Sequence, residues 1–483
     1  MILLALFIIV TLIRAIFYKP KKIEGVKIED ADIDENKVAE HLSRAIQCKT
    51  ISRSNPDEID WSEFDKFHDF LDEAYPLIKQ NTTKEKVSKA SLIYRWKGKN
   101  PELEPMALLS HQDVVPVAEG TENDWTHDAF SGYNDGEIIW GRGALDMKNH
   151  LICVMEAVES LMEEGFQPER DVYLCFGHNE EIVCSKESGA DEIVKVLQSR
   201  GIHLDSVLDE GSALLRLDVK GLIHTYIAAV GVAEKGYADM KLTVHDKGGH
   251  TSAAPKHSGM AKLANMVQDI EKHQFKSHML PFLTELFDTV GRKATYLGRV
   301  VMCNVPLLKP IIKLVLKTIP ESASMVRTIQ SISMCEGSPE PNVLPQRPNI
   351  TVNFRPLPGD TVDDVEKHIR KAVRYKDLEV ERLYSKEATA FSSTDSRAFN
   401  AIKKVEEGLH PGDVAVAPYL VMGGTDSYRY GKICDNILRY APFNVSVALF
   451  LTTHATDERC PISALKESVI FFREYIKEVS KKD

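Results

Sequence analysis

The sequence predicts an α/β protein: a largely parallel sheet covered by helices, with a smaller α+β domain inserted into it. Between about residues 90 and 208, short apolar strands alternate with amphipathic helices, which is the pattern of a parallel sheet covered on both faces. From about Gly231 the strands alternate apolar and polar residues, as in an antiparallel sheet with one exposed face. After about Val380 the first pattern returns, so the second domain interrupts the first.

Length and charge narrow the class of protein. A chain of 483 residues suggests two or three domains, and 43% apolar residues supply an ordinary globular core. The net charge of -11 and the absence of a long Lys/Arg run exclude nucleic acid as a partner.

The N-terminal segment is predicted to direct the chain to the secretory pathway. Residues 2–13 are apolar except for one Thr, and basic residues follow from Arg14 to Lys22. The run is shorter than the roughly 20 residues of a membrane span but suits a signal peptide or an uncleaved signal anchor. A buried first helix is the alternative. The predicted location is secreted or membrane-anchored, facing the extracellular space or a vacuolar or lysosomal lumen. Sequons at Asn81, Asn349 and Asn444 fit a glycoprotein of that pathway.

The cysteines predict no dense disulfide framework. There is no Cys-x-x-Cys pair, and several cysteines lie in apolar runs that read as core. The eight are Cys48, Cys153, Cys175, Cys184, Cys303, Cys335, Cys434 and Cys460.

The first α/β part, predicted over residues 36–231, follows a polar linker over 23–35. Its predicted helices begin near Asn36 and cover 61–79, 151–162 and 191–200. Its predicted strands are 90–96, 106–110, 171–176 and a short one at 206–208.

The inserted domain is predicted over residues 232–380, with strands at 237–245 and 349–355, and the first domain resumes over 381–478. Between the two strands lies the apolar segment 305–320, in which Lys309, Lys313 and Lys317 share one helix face. We interpret it as a helix packed on its own domain. The alternative is lipid or membrane contact through residues 1–18 and 305–320.

His111 and Asp113 end the buried strand 106–110. They are two residues apart, so on an extended chain they project to the same side at the mouth of the sheet. A neutral imidazole is a common zinc ligand, and a nearby carboxylate fixes its tautomer.

Three further acidic stretches follow predicted strands or precede a helix, and a fourth stretch, near the C-terminus, contains a histidine. They contain Asp146, the pair Glu180 and Glu181, the pair Asp209 and Glu210, and His454. Asp146 has the alternative of capping the helix that follows it. In a glutamate pair, one residue can bind metal while its neighbour serves as a general base. Because ligands bind at the carboxyl ends of parallel strands, this mixture of histidines and carboxylates indicates a catalytic zinc site.

Together these stretches resemble the di-zinc metallopeptidase family of aminoacylase and yeast carboxypeptidase S. Within that family, the likeness points to members that act on N-fatty-acyl amino acids. The stretches that carry the resemblance are 110–116, 141–146, 179–181, 209–211, His454, 232–236, 248–255 and 342–345.

The resemblance implies a zinc-hydrolase domain with an inserted lid or dimerisation domain, and two zinc ions per chain. Asp146 would bridge them, His111 with Asp209 or Glu210 would hold one, and Glu181 with His454 the other. Asp113 would orient His111, and Glu180 would be the general base. The implied substrate-binding residues are His250, Asn342, Arg355, Gly424 and Thr425.

Three positions depart from the family pattern. Asn179 replaces an acid before the paired glutamates, Ala455 replaces a glycine after His454, and Tyr428 interrupts the run that leads to Arg429.

The expected activity is zinc-dependent hydrolysis of N-acyl amino acids, with a fatty acyl group as the specific expectation and synthesis as its reverse. A carboxypeptidase S-like peptidase acting on short peptides is the alternative. A non-catalytic membrane-anchored binding protein is a further one. The inserted domain dimerises some relatives, so a homodimer is one option for this chain.

Overall fold

The computed structural model describes residues 2–28, 32–182 and 188–482. The described helices are α1 (Ile2–Phe17), α2 (Glu35–Ile46), α3 (Trp61–Ala74), α4 (Pro76–Asn81), α5 (Lys148–Glu163), α6 (Gly189–Ser199), α7 (Gly259–Lys272), α8 (Pro281–Lys293), α9 (Tyr296–Met302), α10 (Val305–Leu316), α11 (Pro320–Ser324), α12 (Val362–Ala372), α13 (Arg397–Leu409), α14 (Val447–Phe450) and α15 (Ile462–Ser480). Short 3₁₀ helices cover Pro56–Glu58, Thr251–Ala253 and Asp426–Lys432.

The strands form one large sheet and three smaller ones. They are β1 (Thr82–Val87), β2 (Ser91–Trp96), β3 (Met106–His111), β4 (Tyr133–Asn134), β5 (Ile138–Trp140), β6 (Val172–Gly177), β7 (Ser206–Val219), β8 (Ile223–Glu234), β9 (Tyr237–Thr243), β10 (Gly249–His250), β11 (Ile329–Glu336), β12 (Val343–Leu344), β13 (Asn349–Arg355), β14 (Glu379–Lys386), β15 (Val414–Val421), β16 (Ile437–Val445) and β17 (Arg459–Pro461). The large sheet has the order β1-β2-β6-β3-β7-β16-β8-β15. Its central neighbours β6, β3, β7 and β16 run parallel, which confirms the predicted fold class.

Continuous apolar sequence explains the centre of this sheet. Every residue of β3 and of β6 is buried, as expected for strands covered on both faces. Helix α5 is buried along most of its length and packs on β3, α2 and α15.

Two elements differ from their predictions. The single helix predicted over 61–79 is two helices, because Pro76 disfavours a helical conformation at Tyr75, which has φ -124° and ψ 69°. The short strand predicted at 206–208 is only the start of β7, which continues to Val219 and pairs antiparallel with β8.

The second sheet has the order β11-β13-β9-β14 and is antiparallel throughout. Its core includes Met240, Val352, Phe354 and residues of α7 and α12, such as Ile369. The helical segment α8–α11 follows β10 in sequence, and α8 packs on β8 and β15 of the large sheet. The segment between β10 and β12 therefore packs on both sheets, through α7 on the second sheet and α8 on the large one.

The cysteines match the prediction within the described residues. The seven that lie there are all unpaired, and Cys184 lies outside the described residues. Of the three sequon asparagines, Asn81 is exposed and Asn349 is buried, where it donates to Glu336 Oε2 at 3.0 Å. Among the described helices, none has both the length and the apolar character needed to cross a membrane.

Candidate active site

Three neighbouring parallel strands bring the predicted site together. His111 is the last residue of β3, Glu181 follows β6, and Glu210 lies on β7. These strands lie side by side in the order β6-β3-β7, so their carboxyl ends meet at one edge of the sheet. Asp146 comes from the loop before α5, and His454 from the turn before β17.

The five side chains form two groups that share Asp146. Nε2 of His111 lies 3.1 Å from Asp146 Oδ1 and 3.5 Å from Glu210 Oε1. Nε2 of His454 lies 3.0 Å from Asp146 Oδ2 and 3.1 Å from Glu181 Oε1. The two oxygens of Asp146 thus face different groups, as those of a bridging carboxylate do.

The spacing and charge of these groups suit metal ions. Ligand atoms bound tetrahedrally at about 2.0–2.1 Å from one zinc lie about 3.3 Å apart, close to the separations observed here. Burial raises the pKa of Glu210 and of Glu181, and the charge of Asp146 raises both further. Hydrogen bonds to Asp146 and Glu181 raise the pKa of His454 to about 10. Such a concentration of buried negative charge is stabilised by a cation.

Asp113 holds both His111 and the loop that carries the two glutamates. Nδ1 of His111 donates to the backbone oxygen of Asp113 at 2.9 Å, which leaves Nε2 facing the carboxylates. The carboxylate of Asp113 is fully buried and accepts from the amides of Glu180 (3.1 Å) and Glu181 (3.2 Å). Although burial raises it, hydrogen bonds from His111 and other donors hold the pKa of Asp113 below its ordinary value.

The structure distinguishes Asp209 from Glu210, the two acids between which the sequence did not decide the metal ligand. Asp209 accepts from the amide of Ser427 at 2.9 Å and from the amide of Glu210 at 2.9 Å, so its carboxylate stabilises the loop at Ser427. Glu210, and not Asp209, lies beside His111 and Asp146. Asp146 also does not cap α5: the residue at that helix's N-cap position is Met147, with no side-chain cap hydrogen bond.

Glu458 is a site-building residue that sequence reasoning missed. It is fully buried, and its Oε1 accepts from the amides of Gly143 (3.0 Å), Leu145 (2.8 Å) and Asp146 (3.1 Å). Its Oε2 accepts from Arg142 at 2.5 Å. Gly143 has φ +89°, a conformation that favours glycine and allows the chain to turn tightly before Asp146. Glu458 therefore fixes the loop that presents Asp146.

We call the two clusters, His111 with Asp146 and Glu210 and Asp146 with Glu181 and His454, the metal-type groups. A cation-rich cleft of about 460 Å³ adjoins them at Glu180, the neighbour of Glu181 in the chain. Its lining includes four basic side chains and three tyrosines: Lys235, Arg355, Lys386, Arg429, Tyr237, Tyr384 and Tyr428. Gly424 and Thr425 complete one wall, so three of the five predicted substrate-binding residues line the same cleft.

The cations of this cleft are held in place by neighbouring groups. Arg355 lies 4.4 Å over the ring of Tyr237, and its nearest hydrogen-bond acceptor is the neutral Asn353 Oδ1 at 3.2 Å. Lys386 donates to the buried Glu234 at 2.9 Å. Although burial raises it, the charges of Arg439 and Lys386 bring the pKa of Glu234 to about 2.

A second cleft, of about 470 Å³, adjoins the same groups at Asp146 and Glu210. Most of its remaining lining is apolar: Leu145, Met147, Gly211, Ala213, Ala441, Phe443, Val445 and Phe450, beside Asn149, His150 and Thr453. Burial lowers the pKa of His150 to about 3, so this histidine is neutral. A cationic cleft and an apolar one therefore both adjoin the metal-type groups.

His250 and Asn342 lie elsewhere. Both are exposed, on and beside the small sheet of β10 and β12, and the amide of Thr251 donates to the backbone oxygen of Asn342 at 3.1 Å. Neither residue is among those that line the two clefts.

Two of the three departures from the family pattern have structural roles. Asn179 Oδ1 accepts from the amide of Gly189 at 2.8 Å, which ties the glutamate loop to α6. Arg429 pairs with Asp426 (2.9 Å) and with Asp191 (3.0 Å) and lines the cationic cleft. Arg429 therefore lines the cleft although Tyr428 interrupts the family's sequence run before it.

Comparison with known proteins relates this geometry to a family. The family model described as Peptidase family M20/M25/M40 matches residues 107–478, which include every predicted ligand and Glu180. Probable carboxypeptidase S-like 2 of Dictyostelium discoideum is 34% identical over 471 residues, covering 96% of this chain and 90% of that protein. N-fatty-acyl-amino acid synthase/hydrolase PM20D1 of Mus musculus is 29% identical over 453 residues, covering 92% and 88%.

A solved structure matches the fold over most of its length. The M20 family metallo-carboxypeptidase Sso-CP2 from Sulfolobus solfataricus superposes with a TM-score of 0.63 at 18% identity, covering 91% of this chain and 99% of that one. At this identity, the likeness shows the shared architecture alone.

Proposed function

The chain belongs to peptidase family M20/M25/M40 and is a metallo-hydrolase, and from that premise we propose that it is a zinc-dependent hydrolase of N-fatty-acyl amino acids. The observation that supports this substrate class is the pair of clefts that adjoin the metal-type groups. One offers cations and the other offers apolar walls. An N-acyl amino acid has the matching layout, with a carboxylate on one side of its amide and a hydrocarbon chain on the other.

The cationic cleft would hold the substrate carboxylate. Arg355 is its best-placed receptor, because a guanidinium binds a carboxylate through two hydrogen bonds and its present acceptor is neutral. Lys386 adds positive charge from the facing wall but is already paired with Glu234. Gly424 leaves room there, since a Cβ at that position would lie 2.6 Å from Lys386 Nζ.

The apolar cleft would hold the acyl chain. Phe443, Val445 and Phe450 line it, beside Asp146 and Glu210 of the metal-type groups. Each methylene group transferred from water to such walls contributes about 0.8 kcal/mol. This cleft therefore favours a hydrocarbon over the charged amine of a short peptide.

The donor set fits two zinc ions. His111, Asp146 and Glu210 would hold one, and Asp146, Glu181 and His454 the other. When bound, zinc would polarise the scissile carbonyl and lower the pKa of the attacking water.

Glu180 would act as the general base. Burial raises its pKa, and the carboxylates of Asp426, Glu181 and Asp146 raise it further, which makes it a stronger base than an ordinary glutamate. It would then pass that proton to the amine of the leaving amino acid. The same proton transfers in reverse would serve condensation of a fatty acid with an amino acid.

A carboxypeptidase S-like peptidase acting on short peptides is the second candidate. The name of one similar protein favours it, since the Dictyostelium discoideum relative is a probable carboxypeptidase S-like protein. It shares the carboxylate receptor and differs at the acyl side, where a peptide's amine would meet Phe443 and Phe450. A non-catalytic binding protein fits less well, because the ligand groups and Glu180 occur together.

Replacing Phe450 tests the assignment of the apolar cleft. We expect Phe450→Ser to lower kcat/KM for N-oleoyl-phenylalanine about 10- to 100-fold, because one wall of the acyl site is lost. The value for N-acetyl-phenylalanine should change less than about threefold. The matched control is Leu451→Ser, a neighbouring apolar residue that is 70% exposed and is not part of the cleft lining. Equal losses on both substrates in Phe450→Ser would contradict the assignment.

A further inference from the structure

We propose that this protein docks on anionic phospholipid bilayers through one surface formed by α1, α9 and α10. This apolar basic surface comprises residues 9–22 and 296–319. Of the 24 large apolar side chains that are exposed in the described structure, 14 lie in these two segments. Single exposed apolar residues are normal on a soluble protein, but such a concentration marks an interaction site.

Helix α1 packs with its apolar side chains directed outward. Among the side chains of α1 that the structure describes, the buried ones are small: Thr11 and Ala15, which lie one turn apart on the face toward the protein. Over the part of α1 whose side chains are described, the large apolar residues are exposed: Ile9, Val10, Leu12, Ile13, Ile16 and Phe17. A helix on the surface of a water-soluble domain normally shows the opposite arrangement.

Helix α10 presents a second exposed apolar face. Its half-buried residues Leu308, Ile312 and Leu316 recur every four positions and form the inward stripe. Leu307, Ile311, Leu314 and Val315 are 46–65% exposed. An amphipathic helix with this much apolar area outside its packed stripe has a face that is still to be covered.

The two faces belong to one surface because α9 packs against both α1 and α10. Asn304, at the start of α10, donates to the backbone oxygen of Thr11 at 3.2 Å, and Arg14 donates to that of Cys303 at 3.2 Å. The hydroxyl of Tyr296 donates to the backbone oxygen of Leu12, also at 3.2 Å. These bonds fix α1 beside α9, whose own Leu297 and Val301 are exposed.

The charge of the apolar basic surface indicates an anionic bilayer as its partner. The two segments contain eight basic residues and no Asp or Glu, in a chain with a net charge of -11. They are Arg14, Lys19, Lys21, Lys22, Arg299, Lys309, Lys313 and Lys317. A second copy of this chain is a poorer partner. In a symmetric dimer this surface would face its own copy, which carries the same basic residues and no Asp or Glu. Apolar side chains flanked by lysines are the arrangement that inserts into anionic lipid headgroups.

The geometry indicates contact along the membrane plane. Helix α1 is held along α9 by the contacts above, so its exposed apolar face lies in one surface with those of α9 and α10. Fatty acyl substrates partition into membranes, so this surface would place the enzyme where such substrates concentrate. The proposal of membrane docking does not depend on the proposed enzymatic function.

Vesicle co-sedimentation of the full chain tests the proposal. We expect binding to phosphatidylcholine vesicles that contain phosphatidylserine, and at least tenfold weaker binding to phosphatidylcholine alone. Ile311→Asp with Leu314→Asp should weaken binding to the anionic vesicles at least tenfold. Lys309→Glu, Lys313→Glu and Lys317→Glu together should abolish the preference for phosphatidylserine. The matched control is Met334→Asp with Leu383→Asp, two exposed apolar residues on β11 and β14 of the second sheet.

The outcomes separate lipid from protein partners and from misfolding. Circular dichroism melting checks that each variant folds, and no substrate is present, so failure of the proposed activity would leave this result intact. Undiminished vesicle binding by the Ile311/Leu314 variant would overturn the proposal. So would a wild-type dimer that binds no vesicles and becomes monomeric in that variant, since a second copy would then cover the surface.

Discussion

At the residue scale, Asp146 and Glu180 have separable tasks. Asp146 offers one oxygen to each metal-type group, at 3.1 Å from His111 and 3.0 Å from His454. Glu180 lies next to Glu181 in the chain but lines the cationic cleft. One residue would therefore decide metal binding and the other proton transfer.

Paired substitutions test this separation. Asp146→Asn is expected to lose both zinc ions and all activity, because the bridging charge is removed. Glu180→Gln should keep its zinc and lower kcat about 10²- to 10⁴-fold, the usual contribution of a general base. Zinc content by mass spectrometry and kcat on N-acyl amino acids are the measurements. A Glu180→Gln protein that loses its zinc would place that residue among the ligands instead.

Part of the ligand set could be predicted from a local rule and the rest from the resemblance to a family. Polar residues that directly follow buried strands gather at one edge of a parallel sheet, which places His111, the Glu180/Glu181 pair and the Asp209/Glu210 pair together. The division into two metal groups, and the roles of Asp146 and His454, rested on the resemblance. The roles of Glu458 and Asp209 could not be predicted in this way. Glu458 contacts the loop of Asp146 from 312 positions away, and Asp209 differs from Glu210 only in the direction of its side chain.

At the element scale, the packing of α13 on the large sheet buries an ionisable group. Glu406 of α13 is 1% exposed and accepts from the hydroxyl of Tyr440 on β16 at 2.7 Å. Burial raises the pKa of Glu406 to about 7, against 4.5 for an ordinary glutamate. Between these values the folded chain holds a proton that the unfolded chain has released.

Stability should therefore fall as pH rises from about 4.5 to 7. The shift corresponds to a loss of about 3 kcal/mol of unfolding free energy above pH 7. Glu406→Gln keeps an acceptor for Tyr440 and removes the ionisation, so it should be about 2–3 kcal/mol more stable than the wild type at pH 8. Near pH 5 the two should be similar. Urea unfolding at several pH values is the measurement, with Glu407→Gln as the control, and a difference that does not vary with pH would refute it.

The boundaries of elements depended on contacts that the sequence does not display. The β7–β8 hairpin was hidden because its polar residues, such as Arg216 and Asp218, face solvent beyond the sheet and interrupt the apolar pattern. The strand over 349–355 was predicted with its observed bounds, since its alternation of apolar and polar residues is regular. Elements that pack on one core have a regular apolar pattern, so their bounds could be predicted. Elements shared between two cores have an irregular pattern, and their bounds could not.

At the scale of the whole molecule, two clefts adjoin the metal-type groups. The cationic cleft adjoins them at Glu180, and the apolar cleft at Asp146 and Glu210. Strand β7 carries Glu210 near its start and ends at a hairpin tip where Leu222 accepts from the amide of Thr295, just before α9. The chemistry and the apolar basic surface thus lie toward opposite ends of one strand. Sequence patterns identified the metal-type groups and the apolar segment, but only the fold reveals that the clefts have opposite chemical character.

Substrate preference tests the central claim most directly. Zinc-loaded full-length protein should be assayed for kcat/KM on N-oleoyl-phenylalanine and on the dipeptide Gly-Leu, under the same conditions. We predict that the fatty-acyl substrate is turned over at least tenfold more efficiently, because its chain fills the apolar cleft while a peptide amine would be desolvated there. Faster turnover of Gly-Leu would contradict the assignment and identify the protein as a peptidase.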